Sequence, residues 1–244
     1  MGKLVAGLGI WFSTPNLALL ELARRREVDV VVLDVEHGTF DLASLDRMIL
    51  AATAMGLPVF AKVLAPERAA IQQPLDFGAS GVVIPHVAGT EHARTVSGFA
   101  KFPPLGSRSF AGGRTVAYGI PDDAFFTREN GRTLCLPMIE SVEAFNDVEE
   151  IAALESVDGL FVGPSDLSLR RGRGRYRRSS EDRADLARIA SAAAAAGKPW
   201  IMPAWTVIEQ KWARELGAQL LVVAEEQAIL ADGLDGALQL ANSQ

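Results

Sequence analysis

Short runs rich in Val, Leu and Ile alternate along the chain with longer stretches whose apolar positions recur every three or four residues. The runs predict strands and the stretches predict helices. A first strand is expected over residues 4–10, then a helix opening near Ser13-Thr14-Pro15, where a hydroxyl caps and proline takes the first turn. Residues 28–34 are almost unbroken Val and Leu, the mark of a strand covered on both faces. Residues 41–55 predict an amphipathic helix closed by Gly56. The same alternation predicts strands at 58–63 and 81–87, with helices at 66–77 and 90–102. A long polar, Gly-rich loop is expected over 103–132. Strands follow at 134–140, 159–162, 199–204 and 219–223, with helices at 142–154, 181–196, 207–216 and 227–241.

Eight strand–helix units predict a (β/α)8 TIM barrel, an α/β fold, read as one domain over residues 1–244. A doubly wound sheet is the alternative, but no G-x-G-x-x-G follows the first strand. With 244 residues, 49% of them hydrophobic, the chain can bury one large core. The net charge of −6 argues against a general nucleic-acid footprint. The single cysteine, Cys135, excludes an intramolecular disulfide and reads as an inert buried thiol. Met1-Gly2-Lys3 leads straight into a strand-like segment, and no apolar stretch approaches the length of a membrane span. A cytoplasmic protein with no membrane or nucleic-acid partner is therefore expected.

In a barrel, chemistry belongs at the carboxyl ends of the strands. Those ends carry Asp34-Val35-Glu36-His37, Lys62, His86, Glu140 and Asp166, ionisable groups that are costly to desolvate unless paired or metal-bound. Glu140 and Asp166 suit an oxygen-coordinated Mg2+, Mn2+ or Co2+ that keeps several waters. The plainer reading is that one caps a helix and the other pairs with an arginine. In Gly163-Pro164-Ser165-Asp166, a strand ends and a helical turn begins, leaving N–H groups free for an anion. His37 is either an acid/base or a hydrogen-bonded structural residue, and the latter reading applies more strongly to His86 and His92. Asp76 could orient His37, though spacing alone does not establish the contact. Lys62 could be a point charge or, if desolvated, a Schiff-base nucleophile. Arg108 and Arg114 flank the Gly-rich loop and could close over a ligand. The arginine run 170–178 reads as a solvated segment or as an attractor for an anionic second substrate.

With these residues assembled, the chain resembles the metal-dependent (class II) pyruvate aldolases of the HpcH/HpaI family, which act on 4-hydroxy-2-oxo acids and 2-keto-3-deoxy sugar acids. The resemblance rests on Asp34-Val35-Glu36-His37, Leu75-Asp76-Phe77-Gly78, Pro103-Pro104-Leu105-Gly106-Ser107-Arg108, Ile139-Glu140 and Gly163-Pro164-Ser165-Asp166-Leu167-Ser168, in register over nearly the full length. It implies Glu140 and Asp166 as metal ligands, His37 paired with Asp76 as acid/base, and N–H groups around Gly163, Pro164 and Ser165 as the cradle of the pyruvate carboxylate. It also implies a homo-oligomer, typically a hexamer of dimers that exchange the last helix. The chain departs from the family at Lys62, where an arginine is usual, and at Met138, where a glutamine is usual in the substrate site. Val35 replaces a glycine, and Ala224-Glu225 stands where Ser-Asp is common. Pyruvate or another 2-oxo acid with an aldehyde are the implied substrates. The alternatives are other enolate chemistry on the same scaffold, such as oxaloacetate decarboxylation or carbon–carbon ligation, a Schiff-base route through Lys62, and a non-catalytic metabolite-binding barrel.

Overall fold

The computed structural model describes residues 6–243. The first half runs β1 (Gly7–Phe12), α1 (Leu17–Arg25), β2 (Val30–Asp34), α2 (Leu42–Ala54), β3 (Val59–Lys62), α3 (Arg68–Asp76), β4 (Gly81–Ile84) and α4 (Thr90–Gly98). It continues through a 3-10 turn at Arg114–Val116, α5 (Phe125–Arg132), β5 (Leu134–Ile139), α6 (Val142–Asn146), α7 (Val148–Ala153) and β6 (Leu160–Val162). The rest is α8 (Pro164–Arg170), α9 (Ser180–Ala195), β7 (Trp200–Pro203), α10 (Val207–Glu215), β8 (Leu220–Glu225) and α11 (Glu226–Asn242). The eight strands form a closed barrel, each parallel to its neighbours, with β8 returning to β1. Among the described residues no helix is long and apolar enough to cross a membrane.

The period of two along each strand divides the apolar residues into two layers. Val30 and Val32 of β2 face the barrel interior with Phe60, Leu136, Met138, Phe161 and Val222. Val31 and Leu33 face outward into the layer shared with α1 and α2. The same alternation aims the last residue of a strand. Asp34 follows Val30 and Val32 inward and stands in register opposite Lys62 of β3. Glu140 lies two residues beyond Met138 and is 3% exposed.

The expected elements are present, with the strand of 81–87 ending at Ile84, the helix of 90–102 ending at Gly98, the turn after β6 extended into α8, and three further differences. The expected first strand begins at 4, and residues 4 and 5 lie outside the described residues; the strand itself extends to Phe12. The loop over 103–132 contains α5, which packs Phe125 and Phe126 against Phe102 and Phe110 at centroid distances of 5.1 to 6.3 Å. The helix expected over 142–154 is two helices that break at Asp147. At the break, the Asp147 carboxylate accepts from the N–H and Oγ1 of Thr90 at 2.9 and 3.1 Å, capping α4. Gly89 leaves room for it, since a Cβ there would lie 2.9 Å from Asp147 Oδ2.

Beneath the last helix, Glu226 is buried and accepts from the N–H groups of Ser13 and Thr14, from Thr14 Oγ1 and from Asn16 Nδ2. This ties the start of α11 to the β1–α1 loop. Beyond it, Leu230, Leu234, Leu238 and Leu240 are all more than half exposed.

Candidate active site

At the carboxyl ends of β2 and β3 sits a buried charge network. Lys62 Nζ lies 2.5 Å from Glu36 Oε2 and 3.3 Å from Asp34 Oδ1, with all three side chains less than a tenth exposed. Trp11 Nε1 donates to the other Asp34 oxygen at 3.0 Å, and its ring stands 5.9 Å from the Lys62 ammonium. Asp34 Oδ1 also accepts from the His37 N–H at 3.1 Å, which shapes the turn after β2. Burial raises the Glu36 carboxyl, but Lys62 first, then the His86 and His37 contacts, more than offset this and leave it below the usual range.

The second cluster lies at the ends of β4, β5 and β6. Glu140 Oε1 accepts from the His86 N–H at 2.7 Å. Burial, reinforced by the nearby negative charge of Asp166, holds the Glu140 carboxyl above its usual range despite that hydrogen bond. Gly163, between β6 and α8, permits this placement: a Cβ there would stand 2.7 Å from Glu140 Cβ and 2.8 Å from Glu140 Oε2. His86 occupies the left-handed region at φ 56°, so its backbone N–H serves Glu140 while its ring Nε2 reaches Glu36 at 2.5 Å. The ring thus bridges the two clusters.

The donor set fits a hard cation. Glu140 is buried and Asp166 half-buried, and a divalent ion between them would relieve their repulsion and the desolvation of Glu140. Among the described residues no group of three or more His, Cys, Asp or Glu forms a closed ligand cage. Two carboxylate ligands with the remaining positions left to water or substrate is the habit of Mg2+ and Mn2+ rather than of structural zinc. In the first turn of α8, Ser165 and Asp166 have backbone N–H groups without intrahelical partners.

Several expected residues stand elsewhere. The His37 ring is two-thirds exposed and lies 3.5 Å from Glu36 Oε1, and among the described hydrogen bonds none joins it to Asp76. Asp76, at the end of α3, accepts from Arg108 at 2.7 Å instead. Arg108 is buried over the Phe102 ring, and none of its hydrogen bonds reaches Glu140 or Asp166. Arg114 is fastened to Asp46 and to the Phe77 carbonyl rather than closing over the mouth. Met138 is buried in the inner cluster, with its Cε beside Gly163. His92 accepts from the Ala88 N–H, a local structural bond. Glu225 caps α11 by accepting from the N–H groups of Gln227 and Ala228.

The arginine run is not uniformly solvated. Arg173 binds Asp182 and Asp185 at 3.1 and 2.5 Å, Arg171 lies 3.1 Å from Asp185, and Arg178 lies 3.1 Å from the buried Glu209. Sequence reasoning overlooked Trp11 and Trp205, whose rings meet edge to face at 6.4 Å beside the mouth. An aromatic residue at a strand end is a weak signal when its polar partner lies 23 residues away.

Comparison with known proteins fits this geometry. The model of the HpcH/HpaI aldolase/citrate lyase family matches residues 8–212. The 2-dehydro-3,6-dideoxy-6-sulfogluconate aldolase of Pseudomonas putida is 32% identical over 164 residues, covering 67% of this chain and 64% of that protein. The alignment thus spans a little under two thirds of that relative's length. The 2-keto-3-deoxy-L-rhamnonate aldolase of Salmonella schwarzengrund is 28% identical, covering 97% of this chain and 89% of that one. The crystal structure of an HpcH/HpaI aldolase from Desulfitobacterium hafniense superposes with a TM-score of 0.91 at 24% identity, over 99% and 94% of the two chains, a likeness of fold.

Proposed function

Because the chain belongs to the HpcH/HpaI aldolase/citrate lyase family, we propose that it is a divalent-metal-dependent aldolase that cleaves or forms a 4-hydroxy-2-oxo acid, with pyruvate and an aldehyde as the fragments. The observation that carries this reading is the buried Glu140 carboxylate, set against Asp166 at the barrel mouth with Gly163 clearing the space between strand and turn. Glu140 and Asp166 would hold Mg2+, Mn2+ or Co2+, which supplies Lewis acidity toward the negative charge that develops on the 2-oxo acid.

The chain's own residues divide the remaining work. The first-turn N–H groups of Ser165 and Asp166, after Gly163 and Pro164, receive the substrate carboxylate. Lys62 places a fixed positive charge at the mouth, held by Asp34 and Glu36 so that it need not reorganise as charge develops. That grip disfavours the Schiff-base route, because an ammonium held by two carboxylates offers no free amine to a carbonyl. His37 is exposed enough to meet substrate, and Glu36, 3.5 Å from its Nε2, stands where an orienting carboxylate is needed. In cleavage, His37 takes the 4-hydroxyl proton and the C3–C4 bond breaks. The aldehyde departs, and C3 of the pyruvate fragment then gains a proton from solvent. Asp76, Arg108 and Met138 support the surroundings of the site.

The reading extends to assembly. Among the 17 residues of α11 only Glu226 is buried, and Leu230, Leu234 and Leu238 form an exposed stripe at four-residue spacing. Such a face calls for a second copy of the chain, in a homo-oligomer working in the cytoplasm.

The test is exchange of the pyruvate methyl hydrogens in heavy water. Exchange should require Mg2+ or Mn2+, stop on chelation, and fall at least about 100-fold in Glu140→Gln. Exchange that persists in excess EDTA would overturn the proposal.

A further inference from the structure

Beside Asp166 a second space opens that the steps above leave unused. This cavity, of about 480 Å3, borders Ser165 and Asp166 on one side and Trp205 on the other, and the loop after α8 forms a further wall. Ser165 and Asp166 line the cavity, so it adjoins the site built on Glu140 and Asp166, and Trp205 meets Trp11 at its edge.

The loop side of this cavity is fixed and basic. The Arg171 and Arg173 ion pairs with Asp182 and Asp185 anchor it, and Ser179 with Asp182 forms a capping box at the start of α9. Arg178 lies over the Tyr176 ring, and its Nε faces Glu209 at 3.1 Å. Glu209 is fully engaged, since its other oxygen accepts from the N–H and Oγ1 of Thr206. Arg175 also lines the cavity, and among the described residues it pairs with no carboxylate. Tyr176 is nine-tenths buried and borders the same space, yet its hydroxyl has no hydrogen-bond partner. Burial, with the charges of Glu209 and Asp182 behind it, pushes the phenol well above its usual range, so it stays a donor. The buried Tyr176 hydroxyl lacks an acceptor within the chain, and the exposed, unpaired Arg175 beside it supplies positive charge at the same wall, a pairing suited to an anionic acceptor from outside.

We infer that this cavity receives the far end of the aldehyde partner, and that this end carries an oxyanion, a phosphate or a carboxylate, bound by Arg175, Tyr176 and the outer nitrogens of Arg178. The cavity is ample for a short aldehyde, with Trp205 as its apolar wall. The inference rests on the aldolase reading and names the substrate class of the same site.

The experiment compares aldol addition of pyruvate, with Mn2+, to glyceraldehyde 3-phosphate, succinic semialdehyde and neutral glyceraldehyde. In the wild-type protein at least one charged aldehyde should exceed glyceraldehyde in kcat/KM by about tenfold or more. Which one does so distinguishes phosphate from carboxylate. Tyr176→Phe and Arg175→Gln should each remove most of that advantage through KM, while pyruvate methyl exchange without aldehyde stays at the wild-type rate. Equal kcat/KM for charged and neutral acceptors in the wild type would overturn the inference while leaving the aldolase reading intact. So would variants that lose both acceptors alike. A wild-type protein that fails to exchange pyruvate hydrogens with Mn2+ would overturn both readings together.

Discussion

Replacing Gly163 with alanine adds a single methyl group at the point where β6 passes Glu140. Gly163 has φ −105°, a conformation that alanine adopts freely, so any effect comes from space alone. The new Cβ would meet Glu140 Cβ at 2.7 Å and Oε2 at 2.8 Å, where ordinary contact begins near 3.4 Å. Something must move by about 0.6 to 0.7 Å. Glu140 Cβ is bonded to the backbone of the barrel wall, so a change of side-chain torsion cannot relieve that contact. Overpacking of this size costs about 1–3 kcal/mol. In a domain of this length that lowers Tm by roughly 2–12 °C. Displacing a ligand's supporting shell weakens metal affinity by roughly 10–100-fold. Titration with Mn2+, following free Mn2+ by electron paramagnetic resonance, reads the second effect directly, and calorimetry reads the first. Gly9→Ala in β1 is the control, because its Cβ would approach nothing closer than 3.4 Å. A Gly163→Ala protein that binds Mn2+ within twofold of wild type, or a Gly9→Ala protein weakened as much, would refute the steric reasoning.

Lys62→Met should destabilise the fold by about 3–5 kcal/mol, because it strands the buried Asp34 and Glu36 carboxylates without their cation. Urea unfolding measures this, and Lys62→Met combined with Glu36→Gln should recover part of the loss. Burial, with Asp158 nearby, pushes the Cys135 thiol up to about 12 from its usual 9.0. Labelling by a disulfide reagent at pH 8 should therefore be at least about 100-fold slower in the native protein than in urea. Between pH 9 and 12 the unfolded chain releases this proton while the folded one keeps it. Stability should then fall by about 1.4 kcal/mol per pH unit from this group, and Cys135→Ala should lose that component when urea midpoints are compared at pH 8 and 10.5.

What could be read along the chain was what local pattern controls. The Val/Leu run ending at Asp34 and the helix from Asp41 to Gly56 are bounded by residues that act within their own turn, a carboxylate cap at one end and a glycine at φ 73° at the other. The strand-end carboxylates were legible for the same reason, since two-residue alternation fixes which face each presents. Contacts made at long range were not legible. Nothing within 125–132 announces α5, which stands on aromatic packing with Phe102 and Phe110. Glu226 finds its partners more than 200 residues away. The expected pairing of His37 with Asp76 came from resemblance alone, and here Asp76 holds Arg108 while Glu36 stands by His37.

The cap that Asp147 places on Thr90 across 57 residues has a consequence for how this barrel can change through mutation. Three positions on two separate segments answer to one another: the carboxylate, the hydroxyl it receives, and the bare Gly89 that admits it. A side chain at 89 collides with Asp147, and loss of Asp147 removes the acceptor for the Thr90 N–H and hydroxyl at the start of α4. Drift at any one of these sites is penalised until the others follow. In descendants of this chain the three should therefore vary as a set or stay unchanged together.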